Sequence, residues 1–365
     1  MAAVAIAVSF FVIIVAVAVS SGFRKTIREG VAATVGDVRI SPFLTGSAEP
    51  ESMPLHLPSE EAIRALPAVK EIIPAVVRAG IVKHGDIVHG VVVKGTPGSS
   101  QPSLSVSIPQ RLSEITGLGA GEDITIYFVG EKVRVRKFHI TAIHRDILEV
   151  DDNLLVYAGL EDMQRLNGWE ADQVSCLDIL TRDDRTRETA AVVGNLLLQS
   201  GAPEEEDLYV SSSAQAYPQL FDWLKLLDFN VVVILILMTV VAGFNMVSGL
   251  LIMLLRNIST VGTLKTLGMD NRAIGRLFMR IGAEAVLKGM LAGNVLALLF
   301  CLIQGTTHLI PLDPANYFVS WVPVHVNLWW VLLADIAAFL GILALLWFPS
   351  LVVATIDPAK TVKAD

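Results

Sequence analysis

The sequence predicts an α-helical membrane protein with four transmembrane helices, arranged one plus three, and an α+β extracytoplasmic domain inserted after the first. Three observations carry this prediction. First, four apolar stretches are long enough to cross a bilayer: Ala2 to Val19, about Val231 to Leu255, about Ala283 to Ile303 and about Trp329 to Val353. Roughly 20 apolar residues at about 1.5 Å rise span a hydrocarbon core about 30 Å thick. Second, 53% of residues are hydrophobic and the mean hydropathy is +0.58, above the usual soluble range. Third, charge is unevenly placed. Arg24 to Lys225 holds 29 acids against 20 bases, as suits a solvated domain.

The segments follow in order. Residues 1–22 form the first transmembrane helix, 23–225 the outer domain, 226–255 the second helix and 256–282 a cytoplasmic loop. Residues 283–303 form the third helix, 304–328 a short outer loop, 329–353 the fourth helix and 354–365 a cytoplasmic tail. Sidedness comes from the second loop, where Arg256, Lys265, Arg272, Arg276 and Arg280 face the single acid Asp270. Short basic loops stay cytoplasmic, which puts both termini inside and the large domain outside. Arg24, Lys25 and Arg28 then follow the first span on its outer side, against that rule.

The first span carries no charge. A cleaved signal peptide is the competing reading, but no positive region precedes the apolar run and Val17 to Ser20 gives a weak cleavage pattern. The lack of a cytoplasmic flank before Met1 raises the expectation that the natural start lies upstream. Cys176 falls in the outer domain and Cys301 in the third span, so no disulfide framework is expected.

Within the outer domain, Asp37 to Phe43 alternates and reads as a short strand, and Thr45 to Ser59 as a loop. Ser59 is expected to cap a helix that starts with Glu60 and Glu61, where the helix dipole favours anions. Ile72 to His84 and Ile87 to Lys94 read as a hairpin turning at Gly85-Asp86. Pro97 to Pro102 is turn-rich, and Ile108 to Thr116 is expected to be helical. Ile124 to Val129, Val133 to Ile143, Leu154 to Tyr157 and Val174 to Thr181 read as strands, with a helix from Leu160 to Leu166 between the last two. A helix from Arg185 to Gln199 and a strand from Leu208 to Ser211 close one or two α+β lobes.

No catalytic constellation is visible. Gly-x-x-x-x-Gly-Lys-Ser/Thr is absent, and Gly95 to Ser100 lacks the lysine; His-Glu-x-x-His and Gly-x-Ser-x-Gly are absent too. His84, His89 and Asp86 share a hairpin, but surface positions are the better reading, since a metal needs three or four ligands in fixed geometry. Asp151-Asp152, Asp183-Asp184 and Glu204 to Asp207 read as solvated loops. In the membrane, Glu284 and Lys288 are spaced as a helical ion pair, and Asp335 lacks a local partner. Asn245 and Asn294 are expected to bond between helices, and Gly243, Gly249, Gly289 and Gly293 to let helices approach closely.

Four blocks then carry a resemblance. "STVGTLKTLGMDNRAIGRLFMRIGAEAVLKGMLAGN" (Ser259 to Asn294) resembles the loop and third span of the FtsX-like ABC transporter permeases, nearest to the lipoprotein-releasing LolC/LolE branch. "YPQLFDWLKLLDFNVVVILILMTVVAGFNMVSGLLIMLL" (Tyr217 to Leu255) resembles that branch's second span. Val322 to Lys363, ending in "IDPAKTVK", is similar to its last span and Asp-Pro-x-Lys tail. "IPQRLSEITGLGAGEDITIYF" (Ile108 to Phe128) is similar to the MacB-like periplasmic core. The chain departs from relatives at Arg256, where they carry an acid, and in lacking their basic segment before the first span.

The resemblance implies a non-catalytic permease in a bacterial inner membrane, working with a second permease copy or paralogue on a separate ABC ATPase. No cofactor is expected in this chain; ATP and Mg would sit on the partner. Membrane lipids and a periplasmic lipoprotein carrier are the other implied partners, and nucleic acid is not one. The implied function is lipoprotein release; the alternatives are MacB-like efflux or secretion and an FtsX-like mechanical scaffold acting on cell-wall hydrolases. Val261, Leu264, Lys265, Leu267 and Gly268 are the expected ATPase-coupling residues, the three apolar ones forming a stripe. Phe10, Phe11, Ile14 and Val17 are the expected cargo-facing residues, since an acyl chain can lie on an uncharged helix face without desolvating a charge.

Overall fold

The computed structural model describes residues 2–354 except 44–49, 99–102, 131–132, 146–153 and 183–184. Asp151-Asp152, Asp183-Asp184 and the Asp-Pro-x-Lys tail at 357–360 lie outside the described residues. The chain forms two compact units. Among the described residues, one comprises those up to Lys25, Trp223–Leu312 and those from Ser320 on; the other comprises those within Thr26–Asp222 and Asp313–Val319.

The first helix, α1 (Ala2–Val35), is far longer than its apolar run, because nothing in Arg24 to Thr34 breaks a helix. Its end is specified by Gly36, whose φ of +69° is the left-handed conformation that closes helices, with its N–H on the Ala32 carbonyl at 2.9 Å. The last carbonyls are then captured by two cations, a buried Lys94 and a half-buried Arg39. Lys94 Nζ donates to the Ala33 and Thr34 carbonyls at 2.8 and 3.1 Å, and Arg39 to Thr34 at 2.9 Å. Cations suit the negative end of a helix dipole.

Strands follow: β1 (Val38–Pro42), β2 (Met53–Pro54), then α2 (Glu60–Arg64), β3 (Val69–His84) and β4 (Ile87–Thr96). The β3–β4 hairpin turns at Gly85-Asp86 as the sequence indicates, with Gly85 at φ +59°. Ser59 does not cap α2 through an acceptor; its N–H and Oγ donate to Glu205 at 2.9 and 2.7 Å. Glu205 is therefore buried, a correction to the reading of Glu204 to Asp207 as a solvated loop.

Next come β5 (Ser105–Pro109), α3 (Gln110–Thr116), β6 (Asp123–Phe128), β7 (Arg134–His144), β8 (Leu154–Gly159) and α4 (Leu160–Asn167). Ile108 and Pro109, expected as helix, belong to β5: Pro109 offers extended backbone at the helix entry. β9 (Gln173–Val174), β10 (Cys176–Thr181), α5 (Thr186–Ser200), β11 (Leu208–Ser212) and α6 (Ser213–Ala216) complete this unit's main elements. The sheet order is β11-β1-β10-β3-β4-β8-β5-β7-β6, and β6 also pairs with β3 at Ile81↔Tyr127 and Val82↔Ile126. Six strands from β3 to β6 thus close on themselves, and the first half of β3 carries β10, β1 and β11 as an extension. Inside the closed part lie Val82, Val91, Val93, Ile126, Phe128, Phe138 and Ile140, all buried. Gly80 is needed where β6 crosses β3, since a Cβ there would lie 2.7 Å from Ile126 Cγ2.

Strands β1, β10 and β4 together carry the unit's ionic centre. Asp178 of β10 pairs with Arg39 of β1 at 2.6 Å and with Lys94 of β4 at 2.7 Å; the Asp178 and Lys94 side chains are almost fully buried. Burial alone would push the Asp178 carboxyl up, but the Arg39 and Lys94 charges overcome it and hold it below the usual carboxylate range. Neighbouring Cys176 feels burial chiefly and its thiol rises to about 11, so it is an inert core residue. Arg28 makes a second fixture, with Nε on Asp37 Oδ1 at 3.0 Å and Nη2 on the Thr181 hydroxyl at 2.8 Å.

The membrane unit consists of the start of α1 with α7 (Pro218–Arg256), α8 (Ile258–Thr266), α9 (Asn271–Thr307) and α11 (Leu328–Ala354); α10 (Pro314–Tyr317) belongs to the other unit. α1, α7, α9 and α11 are each long and apolar enough to span a membrane. Glycines set the helix spacing. A Cβ at Gly289 would lie 2.6 Å from Ile6 Cγ2 and one at Gly293 2.5 Å from the Ala7 carbonyl, so this pair is the α1–α9 contact. Gly243 meets Leu345 and Gly341 meets Thr239, which brings α7 and α11 together. Gly249 is half-buried, and Asn245 is exposed rather than bonded between helices.

Candidate functional site

The candidate site comprises the two surfaces that the sequence singled out. The short helix α8 is the first. It begins after Asn257 and ends where Gly268, at φ +92°, turns the chain into α9. Two backbone bonds close that turn, Gly268 N–H to Lys265 and Met269 N–H to Leu264, both 3.0 Å. The three expected apolar positions do not act alike. Val261 is buried in one cluster with Leu254 of α7 and Ile274 and Phe278 of α9. Leu264 is half-buried, whereas Leu267 is 79% exposed at the helix end. The reason is periodicity: steps of three drift by about 60° per step on a helix of 3.6 residues per turn. Val261 therefore anchors α8, and Leu267 is the apolar group it presents. Arg256, Arg272, Arg276 and Arg280 are exposed around it.

The first span is the second surface, and here the structure corrects the sequence. Phe10 and Ile14 are fully buried within the membrane unit, so they cannot face a cargo. Phe10 occupies the space beside Gly293, where an added Cβ would lie 2.9 Å from Phe10 Cβ, and Ile14 packs with Ala297 and Val331. Phe11 is half-buried and meets Phe300 edge-on at 5.9 Å. Val17 is half-buried too. Size singles out the bulky residues of α1, but the small residues of α9 decide which face of α1 is covered.

Several polar groups within the helices are paired. Asn294 Nδ2 donates to Asp335 Oδ2 at 2.6 Å, joining α9 to α11, so Asp335 has a partner that the sequence did not reveal. Lys288 and Glu284 pair at 2.8 Å on the exposed face of α9. The unexpected positive charge after the first span is also answered: Arg24 pairs with Asp228 of α7, which accepts from Ser20 Oγ at 2.9 Å as well. Among the described residues no group of three metal-ligating side chains occurs. In the hairpin, His89 lies opposite Val82 and His84 opposite Ile87.

Four helices long and apolar enough to span a membrane, an inserted α+β unit and a short helix between the second and third define a polytopic membrane protein. Residues 232–358 match the family of FtsX-like permease C-terminal domains. That match gives this C-terminal region the character of an FtsX-like permease domain, and the chain is similar, at low identity, to proteins of the LolC/LolE type. It is 27% identical over 165 residues to the lipoprotein-releasing system transmembrane protein LolE of Haemophilus influenzae, covering 43% of this chain and 40% of that one. It is 22% identical over 280 residues to LolC of Xylella fastidiosa strain 9a5c, covering 72% and 65%. With LolC of strain Temecula1 the identity is 22%, over 99% of this chain and 92% of that one. The chain thus spans less than two thirds of the first two relatives. Among solved structures, the periplasmic region of MacB from Actinobacillus actinomycetemcomitans matches with a TM-score of 0.33 and 10% identity, covering 52% of this chain and 95% of that one. The extracellular domain of the transporter YknZ from Gram-positive bacteria matches with a TM-score of 0.30 and 11% identity, covering 48% and 99%.

Proposed function

We propose that this chain is the permease subunit of an inner-membrane ABC transporter that releases lipoproteins, driven by ATP hydrolysis on a separate subunit. The observation that carries the reading is the permease match over the membrane region together with relatives described as lipoprotein-releasing. Physical chemistry supports it. Each buried methylene is worth about 0.8 kcal/mol, so drawing an acylated protein out of a bilayer needs an external energy source. In this reading α8 and both termini face the cytoplasm, the α+β unit faces the periplasm, and a second permease copy or paralogue completes the complex. A periplasmic carrier takes the released cargo.

Leu267 is the group proposed to enter the ATPase. Leu267→Asp should leave folding and assembly intact, since the side chain is exposed, and should reduce ATP-driven release at least tenfold. Val261→Asp should instead abolish folded yield, because it buries an unpaired charge. Wild-type release by Leu267→Asp would move the coupling surface elsewhere.

The cargo path is proposed along the outer half of the apolar run of α1. A photo-reactive side chain at Val17 is expected to crosslink a lipoprotein in the absence of ATP and to lose it on turnover. Crosslinks to phospholipid alone, in a complex that is active, would remove α1 from the path.

A further inference from the structure

A groove of about 550 Å³ runs between α1 and α9, with Val4, Val8 and Phe11 on one wall and Lys288, Gly289 and Leu296 on the other. That volume falls in the range of small-ligand pockets, about 300–1,000 Å³. The groove follows from the glycine contact. Gly289 draws the α1 backbone so close that a Cβ there would lie 3.1 Å from the Ala3 carbonyl, and small residues beside that contact leave the space unfilled. Val4 and Val8 are 66% and 56% exposed, so the groove opens sideways from the helix pair. In a bilayer such a trough is filled by lipid, because an empty one forfeits dispersion contacts on every wall.

Its two ends differ. Phe11 and Leu296 close one end with apolar surface; Lys288 supplies a cation at the other. Lys288 pairs with Glu284 at 2.8 Å, and both side chains are well exposed. Exposed pairs of this kind hold weakly. Glu284 also sits one turn after Arg280, so one carboxylate stands between two cations and the end keeps a net positive charge. An ammonium has three donors and can hold a phosphate oxygen beside the carboxylate. From Ala3 to Phe11 the groove is about 12 Å long, close to the depth of one leaflet's hydrocarbon, about 15 Å. Basic pockets between transmembrane helices on the cytoplasmic side suit anionic headgroups.

We propose that this groove is a binding site for one anionic phospholipid, with an acyl chain between α1 and α9 and its phosphate at Lys288. The assignment to the cytoplasmic leaflet rests on the sidedness proposed above. The site lies at the opposite end of the apolar run of α1 from Val17, so it is separate from the cargo path, and its occupant would hold the first span against the third.

The test is lipid retention by the full chain extracted from vesicles of equal phosphatidylglycerol and phosphatidylcholine, read by native mass spectrometry. One phosphatidylglycerol per chain is expected, in clear excess over phosphatidylcholine. Lys288→Gln should lower that preference about fivefold, and Ala292→Phe, which fills the groove, should abolish retention of either lipid. Should Ala292→Phe fail to fold, Lys288→Gln decides alone. Equal retention of the two lipids by the wild type would overturn the proposal, as would an unchanged preference in Lys288→Gln. A lipid-free dimer crosslinked through Val4 or Val8 would give the groove to a second copy and overturn it too. No ATPase or cargo enters this measurement, so its failure leaves the transport reading standing.

Discussion

Asp178→Ala is expected to lower the melting temperature of the excised α+β unit, residues 26–222, by about 6–20 °C. The substitution leaves Arg39 and Lys94 without the carboxylate they share, and breaking a buried pair in this way costs about 3–5 kcal/mol. For a domain of this size each kcal/mol moves the midpoint by about 2–4 °C. The wild-type fragment itself is expected to melt cooperatively without detergent, since it has its own buried core. Asp123→Ala is the control: Asp123 forms ion pairs with Lys137 and His139, but at the exposed surface, and its loss should hardly move the midpoint. The pH dependence has a fixed sign. Asp178 has a depressed carboxyl pKa in the folded state, so its stabilisation is complete above the unfolded value of about 3.9 and is lost as pH falls through that value toward the native one. The gap between wild type and Asp178→Asn should stay constant from pH 8 to about 5 and close below about pH 4. A gap that widened in acid would show that Asp178 is not held as an anion. Because Lys94 and Arg39 also hold the final carbonyls of α1, the same variant should speed hydrogen exchange of amides near Val35.

Gly293→Leu should disrupt the membrane unit. A Cβ at this position already lies 2.5 Å from the Ala7 carbonyl and 3.1 Å from the Phe11 nitrogen, both backbone atoms that no rotamer change can move. Overpacking a core ordinarily costs about 1–3 kcal/mol; a leucine pressed on backbone belongs at or above the top of that range. Separation of α1 from α9 would also uncover Phe10 and Ile6. The expected readout is a large loss of monodisperse protein in detergent and a midpoint lowered by several degrees. Gly305→Leu, on the same helix but with nothing within 4 Å of its Cβ position, should behave as wild type. Equal behaviour of the two variants would mean that α1 does not pack on the Gly289–Gly293 face.

The spans and most strands were legible because their signals are local. The apolar runs stand out by length, and the β3–β4 hairpin by Gly85-Asp86 between β-branched runs. The helix ending at Val35 was not, since a charged, Ala-rich helix carries no sign of where a membrane stops. The Arg39–Lys94–Asp178 centre was missed because its members stand 55 and 84 residues apart in the chain. The available hint was a lone charge in each of two apolar strands, "VVVKG" and "CLDIL", which a buried sheet tolerates only when the charges meet. At the candidate site, Gly289 and Gly293 announced a close helix contact, but not that α1 was the partner. Without that partner, Phe10 and Ile14 looked as available as Phe11. In the coupling helix the pattern located the element, whereas the roles of Val261 and Leu267 depended on what packs beneath it.

The function proposed for this chain is the movement of acylated protein out of a bilayer at the expense of ATP. The measurement that tests it is release of a labelled triacylated protein from proteoliposomes holding this chain and its partner ATPase, with an acyl-binding carrier protein outside. The account predicts transfer to the carrier that needs ATP, stops with a hydrolysis-defective ATPase, and fails for the same protein without its acyl chains. ATP hydrolysis at a normal rate with the lipoprotein remaining in the membrane would contradict it.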